Sequence, residues 1–261
     1  MVSIVIASSR RGDPSRPLAT WADLIMAANS VTLYAPSCEL VVAWKGPCPP
    51  EGLLPNPRLV IVRQPEAARS YGEAYQFAVE QASGDELILL NDDAVLLPDT
   101  VPTLLEDVSL LRRHRPPVKP GFVACRSNVA PGPQNIRSSN GGTLHGGLMR
   151  WSTEQTILAA DRVSPIAAWI ERRALEEIGG FPPINWFSDD LMCFDLARRG
   201  YTHFVSRAYV HHVGMRATTE DGTTPQQLLE EGLAWVRRHR PDFLAAVEGT
   251  KQPRTPTPAD R

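Results

Sequence analysis

Apolar residues along this 261-residue chain arrive in short runs rich in Val and Ile: Val2 to Ala7, Leu40 to Trp44, Leu59 to Val62, and Leu87 to Leu90. Short continuous runs of this kind predict strands buried on both faces. Between the third and fourth, Ala67, Tyr71, Ala74, Tyr75, Ala78, Val79 and Ala82 recur at helical spacing, and Gly84 supplies a stop. Strands alternating with connections that include helices imply an α/β domain around a mostly parallel, doubly wound sheet. Such sheets bind ligands beyond the carboxyl ends of their strands.

The second half is less regular. A helix is expected to start after Asp99 or Thr100 and to end near the basic, proline-bearing run from Leu111 to Pro120, with a strand over Gly121 to Cys125. From Ser127 to Thr153 periodicity fades and Gly, Asn, Ser and Pro dominate, which predicts a long surface loop. Order returns with a strand over Ile166 to Ile170, a short helix ending at Gly179-Gly180, and a helix from about Asp189 to Arg199 stopped by Gly200. A strand from Phe204 to Val210 and an amphipathic helix from Pro225 to Arg238 follow. The stretch from Gly249 to Arg261 has almost no apolar residue, and a disordered tail is expected there.

Composition narrows the class. Apolar residues make up 43% of the chain, enough for one sizeable core. A formal charge of -2 argues against binding nucleic acid mainly by phosphate neutralisation. No apolar run approaches the roughly 18 residues that would span a bilayer, and no basic segment precedes the first strand, so a soluble, cytoplasmic protein is expected. Cys38, Cys48, Cys125 and Cys193 lie far apart without a C-x-x-C, which suggests reduced thiols rather than a disulfide scaffold or zinc knuckle. The 24 prolines outnumber the 18 glycines, and most fall in connections, which should therefore be stiff.

Three segments carry candidate chemistry. At the carboxyl end of the fourth strand stand Asn91, Asp92 and Asp93, hard oxygen donors of the kind that hold Mg²⁺ or Mn²⁺ together with substrate phosphates and water. The same three residues also suit a turn that caps the next helix. In the second segment Asp189 and Asp190 open a helix, where one carboxylate is expected as the N-cap and the other is available as a general base. Trp186, just upstream, suits stacking on a sugar ring or packing in the core. In the third, His211 and His212 close a strand ahead of Gly214. Adjacent strand residues point to opposite faces, so only one imidazole can join Asp93 at a metal.

In this order and spacing the three segments resemble glycosyltransferase family 2 proteins of the GT-A type, whose sheet is Rossmann-like. The residues that carry the resemblance are Val2 to Ile6, Asn91-Asp92-Asp93, Gly179 to Phe181, Asp189-Asp190, Arg198 to Tyr201, and His211-His212 with Gly214. The resemblance implies a single GT-A domain over residues 1–248, with a donor-binding half over about 1–125 and an acceptor-binding half over about 126–248. It implies that Asp93 binds a metal, Mn²⁺ or Mg²⁺, bridging the diphosphate of a nucleotide-sugar donor, with Asn91 and Asp92 beside the nucleotide. His211 or His212 would complete the metal site, and Asp189, with Asp190 as the alternative, would be the catalytic base. Arg216, Thr218 and Thr219 fall where the family has a segment that closes over the diphosphate. Where the family has an Asp-rich turn after its second strand this chain has Trp44 and Lys45, candidates for a base and a phosphate respectively.

The activity so implied is an inverting, metal-dependent transfer of a sugar from a nucleotide diphosphate to a hydroxyl. The acceptor would be a saccharide, a protein-linked glycan or another alcohol, with Trp151 and Trp186 as acceptor walls. Two rivals stand beside it. A nucleotidyltransferase would be expected to carry a Gly-rich loop after the first strand, where Ser8 to Pro17 holds only Gly12. A sugar-nucleotide or glycan-binding module without turnover would keep Asp93 all the same.

Overall fold

Four apolar runs do form neighbouring strands, and their pairing builds the centre of the molecule. The computed structural model describes residues 1–11, 17–46, 49–136, 138–139, 142–143, 156–213 and 224–250. The first half comprises β1 (Val2–Arg11), α1 (Pro17–Tyr34), β2 (Glu39–Lys45), β3 (Leu59–Arg63), α2 (Tyr71–Gln81), β4 (Glu86–Leu90), β5 (Ala94–Val95) and α3 (Thr100–Arg113). The second half begins with β6 (Pro120–Ser127), a 3-10 turn at Gly132–Gln134, the short pair β7 (Ser138–Ser139) and β8 (Gly142–Thr143), and β9 (Leu158–Ala160). It ends with β10 (Ala167–Glu171), α4 (Arg172–Glu177), α5 (Ser188–Arg198), β11 (Thr202–His212), α6 (Pro225–His239) and α7 (Pro241–Thr250).

The strands of the main sheet run in the order β3-β2-β1-β4-β10-β6-β11-β5, with β9 alongside β11. β1 to β4 pair with one another in parallel, and β6 pairs with β11 in parallel. β10 runs antiparallel between β4 and β6, so the sheet is a mostly parallel one with a reversed strand near its middle. The local sequence of β10 could not reveal that reversal, because a strand buried on both faces reads alike in either direction.

Helices cover both faces. One core lies against α1 and α3, with Ile4, Ile6, Trp21, Leu24, Leu40, Val42, Leu104 and Trp169 among its members. The other lies against α2, α4 and α5, around Val5, Val41, Tyr75, Leu87, Phe122 and Met192. Alternate residues of each strand feed alternate cores, as the pleat requires.

Two elements go beyond the sequence reading. α1 has no clean polar face: Trp21, Leu24, Ala27 and Val31 are buried while Met26 and Leu33 are exposed, so the pattern lacked an amphipathic stripe. α7 follows α6 after a single residue, and Gly249 and Thr250, expected in a disordered tail, lie at its end. Residues 251–261 lie outside the described residues, as do residues 144–153 of the expected loop, Trp151 among them, and Arg216, Thr218 and Thr219. Among the described residues no helix is long and apolar enough to cross a membrane.

Candidate active site

The buried run of β4 ends at Leu90 and the chain turns at once. The Asn91 amide donates to the Ile166 carbonyl at 2.9 Å, and the Ala94 amide donates back to the Asn91 carbonyl at 3.1 Å, closing a turn with Asp92 and Asp93 at its corners. Both expected roles of this segment are therefore compatible: it is a turn, and it presents carboxylates. It does not cap α3, whose N-cap is Asp99. Asp92 is buried and accepts the Ser8 hydroxyl at 2.5 Å, which ties the turn to β1.

Asp93 is tied to the far end of the chain. β5 pairs with the last residues of β11, and the Val213 amide donates to the Asp93 carbonyl at 2.9 Å. That pairing brings the His212 Nε2 to 3.0 Å from the Asp93 carboxylate. The His212 Nδ1 lies 2.8 Å from the Val129 carbonyl, which can only accept, so the Nδ1 proton is committed there. Nε2 then faces a carboxylate with a lone pair, unless a second proton or a cation lies between them. A ring N–H given to a backbone carbonyl with the other nitrogen beside a carboxylate is how metal-ligating histidines are commonly oriented. Burial works against a charged His212, but the hydrogen bond and charge of Asp93 outweigh it and raise its pKa.

A residue the sequence reading passed over completes this arrangement. Asn128 is buried and holds both sides of the His212 backbone, accepting its N–H at 2.7 Å and donating to its carbonyl at 2.8 Å. His211 points elsewhere: it is exposed, with Nδ1 3.4 Å from the Tyr209 hydroxyl. Strand alternation leaves one histidine for Asp93, and the pairing of β11 with β5 makes it His212. Among the described residues no group of three or more His, Cys, Asp or Glu side chains could hold a metal. Asp93 and His212 fit a hard divalent cation as a partial ligand set, with the remaining positions left to phosphate oxygens and water, as Mg²⁺ and Mn²⁺ commonly use them.

A second group of carboxylates stands at the start of α5. Its N-cap is Phe187, in the left-handed region at φ 72°, so neither aspartate takes the capping position expected from sequence. Both occupy the first turn instead, and their surroundings differ. Asp190 is ion-paired with Arg162. Asp189 accepts the Ser164 hydroxyl at 3.0 Å and the Asp190 amide at 3.0 Å. Burial, then the neighbouring charge of Asp190, raise the Asp189 pKa to about 6 against the partial relief given by Ser164, the Asp190 amide and Arg162. Two adjacent carboxylates are thereby pushed apart in character, one neutralised by a cation and one poised near neutrality, the pattern by which acid and base roles are divided.

The two groups are clamped together by α2. Its first amide, on Tyr71, donates to the Asn185 side chain at 2.8 Å, and the next, on Gly72, donates to the Ile184 carbonyl at 3.1 Å. A Cβ on Gly72 would sit 1.7 Å from the Pro182 carbonyl oxygen, so only glycine permits this approach. The stiff Pro182-Pro183 segment is thus pinned just ahead of Asp189. Trp186, partly buried, lies in this segment; α6 packs on it, since a Cβ on Gly232 would lie 3.1 Å from the Trp186 carbonyl oxygen.

Trp44 and Lys45 are committed within the protein. Trp44 is buried edge-on to Trp21, with centroids 6.4 Å apart, and the Arg63 guanidinium covers its ring at 5.7 Å. Lys45 is buried and donates to the Ala68 carbonyl. The alternation of β2 turns Trp44 into one core and Lys45 towards the loop before α2.

Comparison with known proteins bears on the fold. No family model matches the chain, and no curated protein matches it by sequence. Among solved structures, a mannosyltransferase from Pyrobaculum calidifontis in complex with GDP-Man and Mn²⁺ is 17% identical over 98% of this chain and 65% of that one, with a TM-score of 0.51. Residues 1–349 of S. aureus TarS are 14% identical over 81% of this chain and 59% of that one, at 0.49. The same TarS fragment in complex with UDP-GlcNAc is 12% identical over 84% of this chain and 60% of that one, also at 0.49. The chain thus spans less than two thirds of the length of each of these structures. The sheet, its helical cover and the mannosyltransferase match together make this a GT-A-type fold.

Proposed function

We propose that this chain transfers a glycosyl unit from a nucleotide-diphosphate sugar to an acceptor hydroxyl, with inversion and with the help of a divalent cation. The observation that carries the reading is a division of labour between two acidic groups, Asp189 with its pKa raised to about 6 and Asp93 paired with His212. Asp189 would take the proton of the acceptor hydroxyl as it attacks the anomeric carbon, a task suited to a carboxylate whose pKa lies near the working pH. Asp190, held by Arg162, supplies field rather than proton transfer.

Asp93 and His212 would hold Mn²⁺ or Mg²⁺, which neutralises charge developing on the leaving diphosphate. Asp92, Asp93 and Asp189 make the site acidic, so a dianionic donor needs such a cation to enter it. Asn91 and Asp92 would border the nucleotide, and Arg216 and Thr218 the diphosphate. The acceptor would approach past Trp186. Trp151 is a second candidate wall. The site is the same for a saccharide, a protein-linked glycan or another alcohol.

The test is transfer from a panel of nucleotide sugars, GDP-Man and UDP-GlcNAc first, with and without Mn²⁺. Metal-dependent release of nucleoside diphosphate is expected, lost in Asp93→Ala and in Asp189→Asn, the latter with donor binding retained and the rate down by at least about 100-fold. Turnover that survives both substitutions overturns the assignment. Donor binding without turnover in the wild-type protein would favour a binding module.

A further inference from the structure

Tyr71 is the first residue of α2 and enters the sequence pattern only as one position of an apolar stripe. The structure gives it a different setting. Its backbone amide is fixed to Asn185, on the loop that leads into Asp189. Its ring lies against Tyr75 with centroids 4.5 Å apart, and the Tyr75 hydroxyl donates to the Leu90 carbonyl at 2.7 Å, the residue directly before Asn91-Asp92-Asp93. Tyr75 in turn stacks on Phe181 at 5.7 Å. Tyr71 is therefore braced from the acidic turn on one side and from the base-bearing loop on the other.

Resting on the proposed glycosyl transfer, we infer that Tyr71 is a donor-contacting residue whose phenolic oxygen hydrogen-bonds a hydroxyl of the glycosyl unit. The geometric reason is the line of an inverting transfer. The attacking hydroxyl sits at Asp189, the leaving diphosphate at Asp93 and His212, and the sugar must occupy the gap between them. A side chain braced against both sides of that gap borders the sugar rather than the nucleotide.

The electrostatic surroundings agree. Burial first, then the charges of Asp189 and Asp92, raise the Tyr71 phenol against the effect of its hydrogen bond with Tyr75. The group stays a neutral phenol at working pH; the Tyr75 proton goes to Leu90, so the Tyr71 proton goes to Tyr75 and its lone pairs are left to accept from a sugar hydroxyl. Tyr75 feels Tyr71, Asp92 and Asp93 in the same way, so both phenols stand within reach of the acidic turn.

Tyr71→Phe keeps the ring and its packing on Tyr75 and removes only the hydroxyl. With the full chain and a donor that wild type turns over, kcat/KM for the donor should fall about three- to tenfold, the worth of one hydrogen bond, while inhibition by the matching nucleoside diphosphate stays unchanged. An unchanged kcat/KM overturns the inference, because a packing role survives in Phe. Equal weakening of donor and nucleoside diphosphate also overturns it, because the contact would then be to the nucleotide. Thermal melting of the variant guards against a folding defect, and Tyr71→His, which restores a polar atom, should recover part of the loss. Absence of turnover in wild type with every donor would instead sink the functional reading on which the inference stands.

Discussion

Replacing Asp189 by Asn should stabilise the protein while removing its transfer activity. In the folded chain the Asp189 carboxyl titrates at about 6 against an ordinary value of 3.8, because burial and Asp190 both disfavour its charge. A folded-state pKa above the unfolded one means that the native state binds the proton more tightly. The associated stability is present below the unfolded pKa and is lost as pH rises through the folded one. At pH 8 the ionised side chain therefore costs the fold up to about 3 kcal/mol, and below about pH 4 nearly nothing. Asparagine has the same shape, can still accept the Asp190 amide, and carries no charge to desolvate.

The difference in unfolding free energy between Asp189→Asn and wild type, measured by urea denaturation at pH 8 and at pH 4.5, should thus favour the variant at pH 8 and shrink strongly at pH 4.5. For a domain of this size a gain of 1 kcal/mol raises Tm by roughly 2–4 °C. A variant less stable than wild type at pH 8, or a gap that does not narrow on acidification, would show that Asp189 is not held under strain, and the argument for it as the poised base would fall with it.

Three further outcomes follow from the same geometry. The acid limb of kcat/KM should fall as pH drops through about 6, where Asp189 takes up a proton. Asp190→Asn should move that limb to lower pH, because it removes a like charge and frees Arg162 to act on Asp189; a pH–rate profile checks both, and an unmoved limb refutes the coupling. Gly72→Ala should destabilise the fold by about 1–3 kcal/mol or more and depress transfer, since its Cβ would collide with the Pro182 carbonyl; calorimetry and the transfer assay measure the two effects, and an unperturbed variant would show that α2 does not pin the loop before Asp189.

The strands of the first half, the turn after β4 and the first turn of α5 were legible because each is a local signal. An unbroken apolar run such as Leu87 to Leu90 leaves few alternatives to a buried strand, and paired carboxylates after it have to lie at the strand end. Gly179-Gly180 was legible as a stop for a related reason: both adopt positive φ, and a Cβ on Gly180 would lie 2.2 Å from the Gln76 side chain. Less legible was α1, whose apolar residues surround it, and the Asp189–Asp190 cap, which Phe187 takes in a left-handed conformation that residue type does not announce.

What the sequence by itself determined was the α/β class, the sheet-end position of Asp92 and Asp93, and the limit that only one of two adjacent histidines can face them. Local periodicity and strand alternation suffice for those. Which histidine it is, that Asn128 holds it, that Asp190 is spent on Arg162 while Asp189 is not, and that Tyr71 stands between the two sides were decided by tertiary structure alone. Each of these depends on contacts between segments far apart in the chain, brought together by the pairing of β5 with β11 and by the docking of α2 on the loop before α5. Proton affinity and ligand geometry are set by what a side chain faces, and no periodicity in the chain records that.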